Sequence, residues 1–142
     1  MTEVAFHTGV ADPLDYACRL LRKAWRQGAR AVVTGAPEQL ARLDVQLWTF
    51  DPGEFIPHAR LRVGQQPAPE LLRTPIWLAD AGAAAPAAPV LVNLGPDGPD
   101  DIQRYERVIE IVGPDDEPRR AARQRWRQYE AAGHQVVHHA KA

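Results

Sequence analysis

The residues best suited to binding chemistry are five arginines near the end of the chain. They are Arg119, Arg120, Arg123, Arg125 and Arg127, within nine residues that contain no acidic side chain. On a helix, Arg119, Arg123 and either Trp126 or Arg127 lie along one stripe. Arginines can hold carboxylates, and a neighbouring tryptophan can accept an apolar side chain. The pattern indicates a site for an acidic peptide or a nucleic-acid backbone, or else a solvated helix without a specific partner.

The charge of the whole chain limits the size of an anionic partner. The 142 residues include 17 Lys and Arg and 18 Asp and Glu, which gives a formal charge of -1. A protein that neutralises duplex DNA normally has a basic surplus. The balance hides a local contrast, because residues 95–118 contain eight acidic residues and two basic ones, directly before the arginines. The composition disfavours duplex binding and favours a short acidic ligand.

A second candidate contact segment lies at residues 47–58, where prolines interrupt a series of large apolar side chains. These are Trp48, Phe50, Phe55 and Ile56. Such residues on a loop either close over the core or form a contact surface. Closure over the core is the default interpretation.

The sequence offers little for catalysis or metal binding. The loops at 8–12 and 34–37, where an α/β protein would hold phosphate, match neither GxxxxGK[ST] nor GxGxxG. The chain contains no serine, which excludes a serine hydrolase, and its single cysteine, Cys18, is predicted to lie in the core. His134 and His138 follow Gly133 in a predicted strand, where a spacing of four gives no shared face. We expect a solvated tail there, with no catalytic residue, metal or cofactor.

The elements that position these residues alternate between strands and helices. Strands are predicted at 3–8, 31–34, 76–79, 90–94, 108–112 and 135–138, and helices at 13–28, 37–48 and 117–132. On the last helix, Ala121, Ala122, Tyr129 and Ala132 are predicted to pack inward. Residues 59–73 are predicted to be irregular, and the Ala- and Pro-rich residues 81–89 flexible. Strands interleaved with helices predict an α/β fold with a mostly parallel central sheet, as one domain over residues 1–142. No signal peptide or membrane span is predicted, so we expect a cytoplasmic protein.

Several segments together resemble the chi subunit family of bacterial DNA polymerase III. The resemblance rests on Ala24-Trp25-Arg26-Gln27-Gly28, Ala31-Val32-Val33, Leu43-Asp44, Leu47-Trp48, Phe55-Ile56-Pro57-His58, the run from Arg123 to Tyr129, and Gly133. Two patterns are fairly specific in combination. One is Leu-Trp followed after six residues by Phe-hydrophobic-Pro-His, and the other is the closing Arg-x-Arg-aromatic-basic-x-Tyr. The resemblance covers nearly the whole chain.

This resemblance implies a non-catalytic accessory subunit of the replicase. The expected fold is three-layered, with a Rossmann-like or P-loop-NTPase-like topology that lacks a phosphate-binding loop. The implied partners are the acidic, Phe-ending C-terminal tail of single-stranded-DNA-binding protein and the psi subunit of the clamp loader. An accessory helicase is implied to share the psi surface, and contact with DNA is expected to be mainly indirect.

The resemblance also assigns residues to the two implied surfaces. The tail site carries over to Val112, Arg119, Arg123, Trp126 and Arg127. Trp126 stands where the family often has tyrosine, and Arg119 and Arg127 stand where lysine is common. The surface for psi or the helicase carries over to Trp48, Phe55, Pro57 and His58. Two alternatives from the residues stay open: a small nucleotide-binding enzyme that uses the loops at 8–12 and 34–37, and direct binding of single-stranded nucleic acid by the arginine helix.

Overall fold

A computed structural model describes residues 2–99 and 101–140, and in this part of the chain seven strands and three helices occur. The strands are β1 (Glu3–Thr8), β2 (Ala31–Gly35), β3 (His58–Leu61), β4 (Ile76–Asp80), β5 (Val90–Asn93), β6 (Arg107–Ile111) and β7 (Gln135–Ala140). The helices are α1 (Pro13–Arg26), α2 (Pro37–Thr49) and α3 (Asp116–Ala131). Short 3₁₀ turns cover Pro69–Leu71 and Ile102–Arg104.

The strands form one sheet in the order β3-β4-β2-β5-β6-β1-β7. All six neighbouring pairs are parallel. The prediction of an α/β fold with a mostly parallel sheet is therefore confirmed, and β3 and β7 form the two edges. Because the strands are parallel, the loops that follow them meet at one end of the sheet.

Each face of the sheet carries its own apolar core. On one face, α1 and α2 pack Cys18, Leu21, Leu43 and their neighbours against Val33 and Leu78. On the other face, α3 contributes Ala122 and Tyr129 to a second cluster. The strand residues of that cluster include Phe6, Val32, Trp77, Leu91 and Val108. The alternation of side chains along each strand assigns neighbouring residues to opposite faces.

Helix α1 shows how the local sequence sets these elements. Asp12 is the N-cap, and its side chain accepts a hydrogen bond from the backbone N–H of Asp15 at 3.1 Å, while Pro13 occupies the first turn. The helix buries Cys18, as the sequence predicts. Burial, followed by the negative charges of Asp15 and Asp12, raises the pKa of the Cys18 thiol to about 12. This thiol is a core residue and a poor nucleophile.

One sequence-based expectation at the sheet edges is wrong. Residues 59–61 belong to strand β3, which pairs with β4, although the segment 59–73 was expected to be irregular. At the other edge, the predicted strand at 135–138 is confirmed as β7, which pairs with β1 and extends to Ala140. Within the described residues, no helix is long and apolar enough to cross a membrane.

Candidate functional site

The five residues that the sequence assigns to a tail site surround one cavity of about 410 Å³. Four of them project from α3, and Val112 follows directly after β6. We call this cavity the basic groove. It is lined by Phe6, Thr8, Val112, Arg119, Ala122, Arg123, Trp126, Arg127 and His138. The α3 residues in this set fall three and four positions apart, which places them on one stripe of the helix.

The floor of the basic groove is apolar and aromatic. Phe6 of β1 lies against Trp126, with ring centroids 5.1 Å apart and planes tilted by 39°. Val112 and Ala122 are buried beside them, whereas Trp126 is only half-buried and remains open to the cavity. An apolar side chain of a ligand can therefore bury its surface by packing on Trp126.

The rim of the basic groove carries positive charge that no neighbouring acid neutralises. Arg119, Arg123 and Arg127 are exposed. Among the residues that the structure describes, no carboxylate lies within ion-pair distance of any of the three. A guanidinium without a partner can hold a ligand carboxylate through two parallel hydrogen bonds. The groove thus combines an apolar floor with a rim suited to acidic groups.

Strand β7, at the edge of the sheet, forms the wall of the groove opposite the arginines. His138 is exposed, as expected for this segment, but it also pairs in register with Phe6 and lines the groove. The Nε2 atom of His138 lies 2.6 Å from the Oγ1 atom of Thr8 on β1. The ring of His138 also stands edge-on to Trp126, with centroids 6.2 Å apart. Sequence spacing gave no signal for this residue, since only strand pairing brings it to the groove.

Arg125 differs from the other four arginines of the helix, because its side chain is only 8% exposed. It packs on the inward stripe with Ala122 and Tyr129. Its Nε and Nη2 atoms donate to the two oxygens of Glu110 at 3.2 and 3.0 Å, and Nη1 donates to the carbonyl of Pro96 at 2.5 Å. The arginine run is therefore not one uniform surface, and Arg125 holds α3 against strand β6.

Glu110 is the centre of this buried arrangement, and its side chain has no solvent exposure. Its carboxylate also accepts hydrogen bonds from Tyr129 Oη at 2.6 Å and from Asn93 Nδ2 at 2.9 Å. We call Glu110, Arg125, Tyr129 and Asn93 the buried polar network. Burial, and then the charge and hydrogen bond of Glu110, raise the pKa of Tyr129. Every polar group of the network is satisfied, which is what allows a charged pair to persist inside a protein.

The loop after β5 packs closely on the buried polar network at Gly98. A Cβ atom at Gly98 would stand 2.9 Å from Cδ of Arg125 and 3.0 Å from Oη of Tyr129. No side chain fits at that position without displacing one of them. The loop after β5 therefore helps to keep water away from the network.

The second predicted contact segment forms an exposed patch on the other side of the sheet. Trp48 at the end of α2 is 51% exposed and Phe55 is 61% exposed, and their ring centroids are 4.9 Å apart. Ile56 is buried and Phe50 packs partly on the core. The prediction that this segment closes over the core is therefore confirmed for Ile56 and Phe50. It is wrong for Trp48 and Phe55, which are exposed. We call Trp48, Phe55 and the half-buried Pro57 the aromatic surface.

His58 supports this surface from beneath and is not part of it. Its side chain is fully buried, and its ring lies 4.7 Å from the ring of Trp48, centroid to centroid. Nδ1 lies 2.8 Å from the carbonyl oxygen of Ile56, and Nε2 lies 2.7 Å from Oδ1 of Asp44. A direct contact from the His58 side chain to a partner is not possible while it keeps this position.

A smaller cavity of about 250 Å³ lies where the strands end and includes Thr34 and Gly35 of the loop at 34–37, one of the two considered for phosphate. It is bordered by Gly35 at the end of β2, Asp80 at the end of β4 and Gly95 after β5. Asp80 is held by Arg60, whose Nη2 atom lies 2.6 Å from Oδ1 of the carboxylate. Within the described part of the chain, no group of three or more His, Cys, Asp or Glu side chains could hold a metal ion.

Solved structures place this fold in the class of Rossmann-like, P-loop-NTPase-like α/β domains. The helicase domain of Hef from Pyrococcus furiosus matches with a TM-score of 0.57 at 18% identity, covering 81% of this chain and 28% of that one. Domain 2 of the DEAD-box helicase Mss116p, solved with an RNA duplex, matches with a TM-score of 0.63 at 10% identity, covering 100% and 65%. At such low identity these likenesses show the fold alone.

Sequence comparison gives the family within that class. The family model described as "DNA polymerase III chi subunit, HolC" matches residues 1–137. The chain is 35% identical to DNA polymerase III subunit chi of Pseudomonas aeruginosa, covering 98% of this chain and 96% of that protein. It is 30% identical to the subunit of the same name from Haemophilus influenzae, covering 84% and 81%. The chain therefore belongs to the DNA polymerase III chi subunit family, which confirms the family predicted from the sequence.

Proposed function

We propose that this chain is a non-catalytic accessory subunit of the replicase that binds the acidic C-terminal tail of single-stranded-DNA-binding protein in the basic groove. One observation carries the proposal: three arginines, which have no acidic partner among the described residues, surround an apolar floor in one cavity. Membership of the chi family supports a role within DNA polymerase III.

The chemistry of such a tail matches the groove part by part. A terminal phenylalanine would place its ring between Trp126 and Val112, where burial of apolar area favours binding. Its carboxylate would accept paired hydrogen bonds from Arg123, and the preceding acidic side chains would lie near Arg119 and Arg127. Because these arginines are exposed, the contact should weaken as salt screens the charges.

The aromatic surface is the proposed site for the psi subunit, which would connect the chain to the clamp loader. Trp48 and Phe55 are the kind of large exposed aromatic residues that dominate protein interfaces. An accessory helicase that uses the same surface would compete with psi. Contact of the replicase with single-stranded DNA would then pass through the tail-bearing protein, with the chain itself touching DNA mainly indirectly.

The decisive experiment is titration of the whole chain with a labelled acidic peptide that ends in phenylalanine, measured by fluorescence anisotropy. Arg123→Ala should weaken binding by about 2 kcal/mol, or roughly 30-fold, because it removes a charge-assisted hydrogen-bonding partner. The same peptide without its terminal phenylalanine should bind at least as poorly. Equal binding by the wild type and Arg123→Ala would refute the site.

Arg120→Ala is the matched control, since Arg120 is an exposed arginine of the same helix that does not line the groove. It should change binding less than threefold, the scale of a screened surface charge. Two further measurements separate the alternatives. Binding of a bare oligonucleotide that Arg123→Ala abolishes would favour direct nucleic-acid binding, and a thermal shift with ATP or GTP and magnesium would favour a nucleotide-dependent enzyme.

A further inference from the structure

We propose that His138 is a ligand-binding residue of the basic groove and that it contacts an acidic group of the bound peptide in its protonated form. This inference rests on the function proposed above for the groove. It adds a contact from the sheet edge, opposite the arginine helix, and it predicts a pH dependence that the arginines alone do not give.

The position of His138 is fixed by strand pairing and by one side-chain contact. Phe6 and His138 are register partners on β1 and β7, and both line the groove. The 2.6 Å contact between Nε2 of His138 and Oγ1 of Thr8 engages one ring nitrogen. Among the described residues, Nδ1 has no hydrogen-bond partner. The imidazole therefore keeps one ring nitrogen for a ligand.

The charge around His138 explains why protonation and binding should be coupled. From α3, the groups that face it across the groove are Arg119, Arg123 and Arg127, all positive. From β1 it meets Phe6 and Thr8, which carry no charge. On its own strand, the neighbouring His139 lies on the other face, where its ring stands edge-on to His7 with centroids 5.1 Å apart. No carboxylate of the described residues lines the groove.

The carboxylates of a bound acidic peptide would attract both the three arginines and a protonated imidazole at His138. The imidazolium also donates from both ring nitrogens, so Nε2–H can serve Thr8 while Nδ1–H serves the ligand. Histidine changes charge between about pH 5 and 8. Binding should therefore take up a proton, and affinity should rise as the pH falls through this range.

The test is the affinity of the acidic, Phe-ending peptide at pH 8 and pH 6 and constant ionic strength. For the wild type we expect about a fivefold gain at pH 6, the size of one partly exposed charge-assisted contact. His138→Gln removes the charge but keeps an amide that can reach Thr8, so it should bind no more tightly than the wild type at pH 8 and show no gain in affinity at pH 6. The matched control is His139→Gln, which should keep the gain.

A second measurement follows the proton directly. Calorimetric titrations in two buffers with different ionisation enthalpies should show net proton uptake for the wild type near pH 7 and much less for His138→Gln. If His138→Gln keeps the full pH dependence and proton uptake, the inference is wrong. If Arg123→Ala does not weaken binding at pH 8, the groove function itself is wrong, so the two failures are distinguishable.

Discussion

The basic groove and the aromatic surface lie on opposite faces of the sheet and rest on different supports. The groove stands on the buried polar network, in which Glu110 is fully buried and receives three side-chain donors. The aromatic surface stands on His58, whose partner Asp44 is still 37% exposed. One support is an ion pair sealed inside the protein, and the other is a polar contact that water can reach.

This difference suggests how each surface behaves. An ion pair without access to water has no alternative partner, so the position of α3 is tightly fixed and the groove is preorganised. Asp44 is partly exposed, so water can solvate its carboxylate while it holds His58. We therefore expect the groove to be the more rigid surface, and the aromatic surface to adjust more readily to its partner.

Removing Arg125 should have the largest effect. Arg125→Ala leaves Glu110 buried without a counter-charge, which should lower the free energy of unfolding by about 3–5 kcal/mol. Denaturant titration followed by circular dichroism measures this change. Arg120→Ala, which removes an exposed arginine from the same helix, should stay within about 0.5 kcal/mol of the wild type. Similar losses for the two variants would show that the groove does not depend on the network.

Removing His58 should have an intermediate effect. His58→Ala deletes a fully buried ring and two polar contacts, so the free energy of unfolding should fall by about 2 kcal/mol. Binding of psi should weaken because Trp48 loses the ring beneath it, while the tail peptide should bind as before. The conservative variant Asp44→Asn keeps an oxygen acceptor and should cost less than about 1 kcal/mol. A larger loss for Asp44→Asn than for His58→Ala would contradict the proposed difference between the supports.

The variant Tyr129→Phe should have a smaller effect on the free energy of unfolding, and this effect should depend on pH. Tyr129→Phe removes one donor to Glu110 and should cost about 1.5 kcal/mol near neutral pH. The raised pKa of Tyr129 keeps the folded phenol neutral, whereas the phenol of the unfolded chain ionises above about pH 10. The wild type should therefore lose stability as the pH rises above this value. Unfolding measured between pH 9 and 11 should show a shallower loss for Tyr129→Phe, and an unchanged slope would contradict the assignment.

The aromatic surface itself should contribute least to stability. Trp48→Ala removes an exposed side chain, so the free energy of unfolding should change by less than about 1 kcal/mol. Binding of psi should be strongly reduced, because exposed aromatic anchors dominate such contacts. Affinity for the tail peptide should be unchanged, and Trp48→Ala combined with Arg123→Ala should show additive effects. A weaker tail affinity in Trp48→Ala would mean that the two surfaces are coupled.

Much of the fold was predictable, because most elements carry a local signal. The caps, the helical periodicity and the apolar runs identified three helices and six of the seven strands, with ends displaced by one or two residues. Strand β3 was missed because it is four residues long and contains Arg60. Its strand character comes from pairing with β4, which follows it by 15 residues or more.

Part of the groove could be predicted, because the family resemblance assigned five of its lining residues to one site. The stripe from Arg119 to Arg127 follows from helix geometry, but the sequence does not distinguish Arg125 from its neighbours. Its burial depends on Glu110, 15 positions away on β6. A signal was present, since Ala122, Arg125 and Tyr129 share one helical face. No comparable signal existed for His138, because its place depends on a partner 130 positions away.

The pairing of β1 with β7 has a consequence for the order in which the two surfaces form. Residues 44–58, which build the aromatic surface and its support, are close in sequence, whereas the groove needs β1, α3 and β7 together. During ribosomal synthesis the residues of the aromatic surface are therefore all present well before those of the groove. Contacts between distant segments also form slowly in refolding. A chain synthesised only as far as α3 would contain every residue of the aromatic surface but would lack β7, so formation of the groove has to wait for the pairing of β1 with β7.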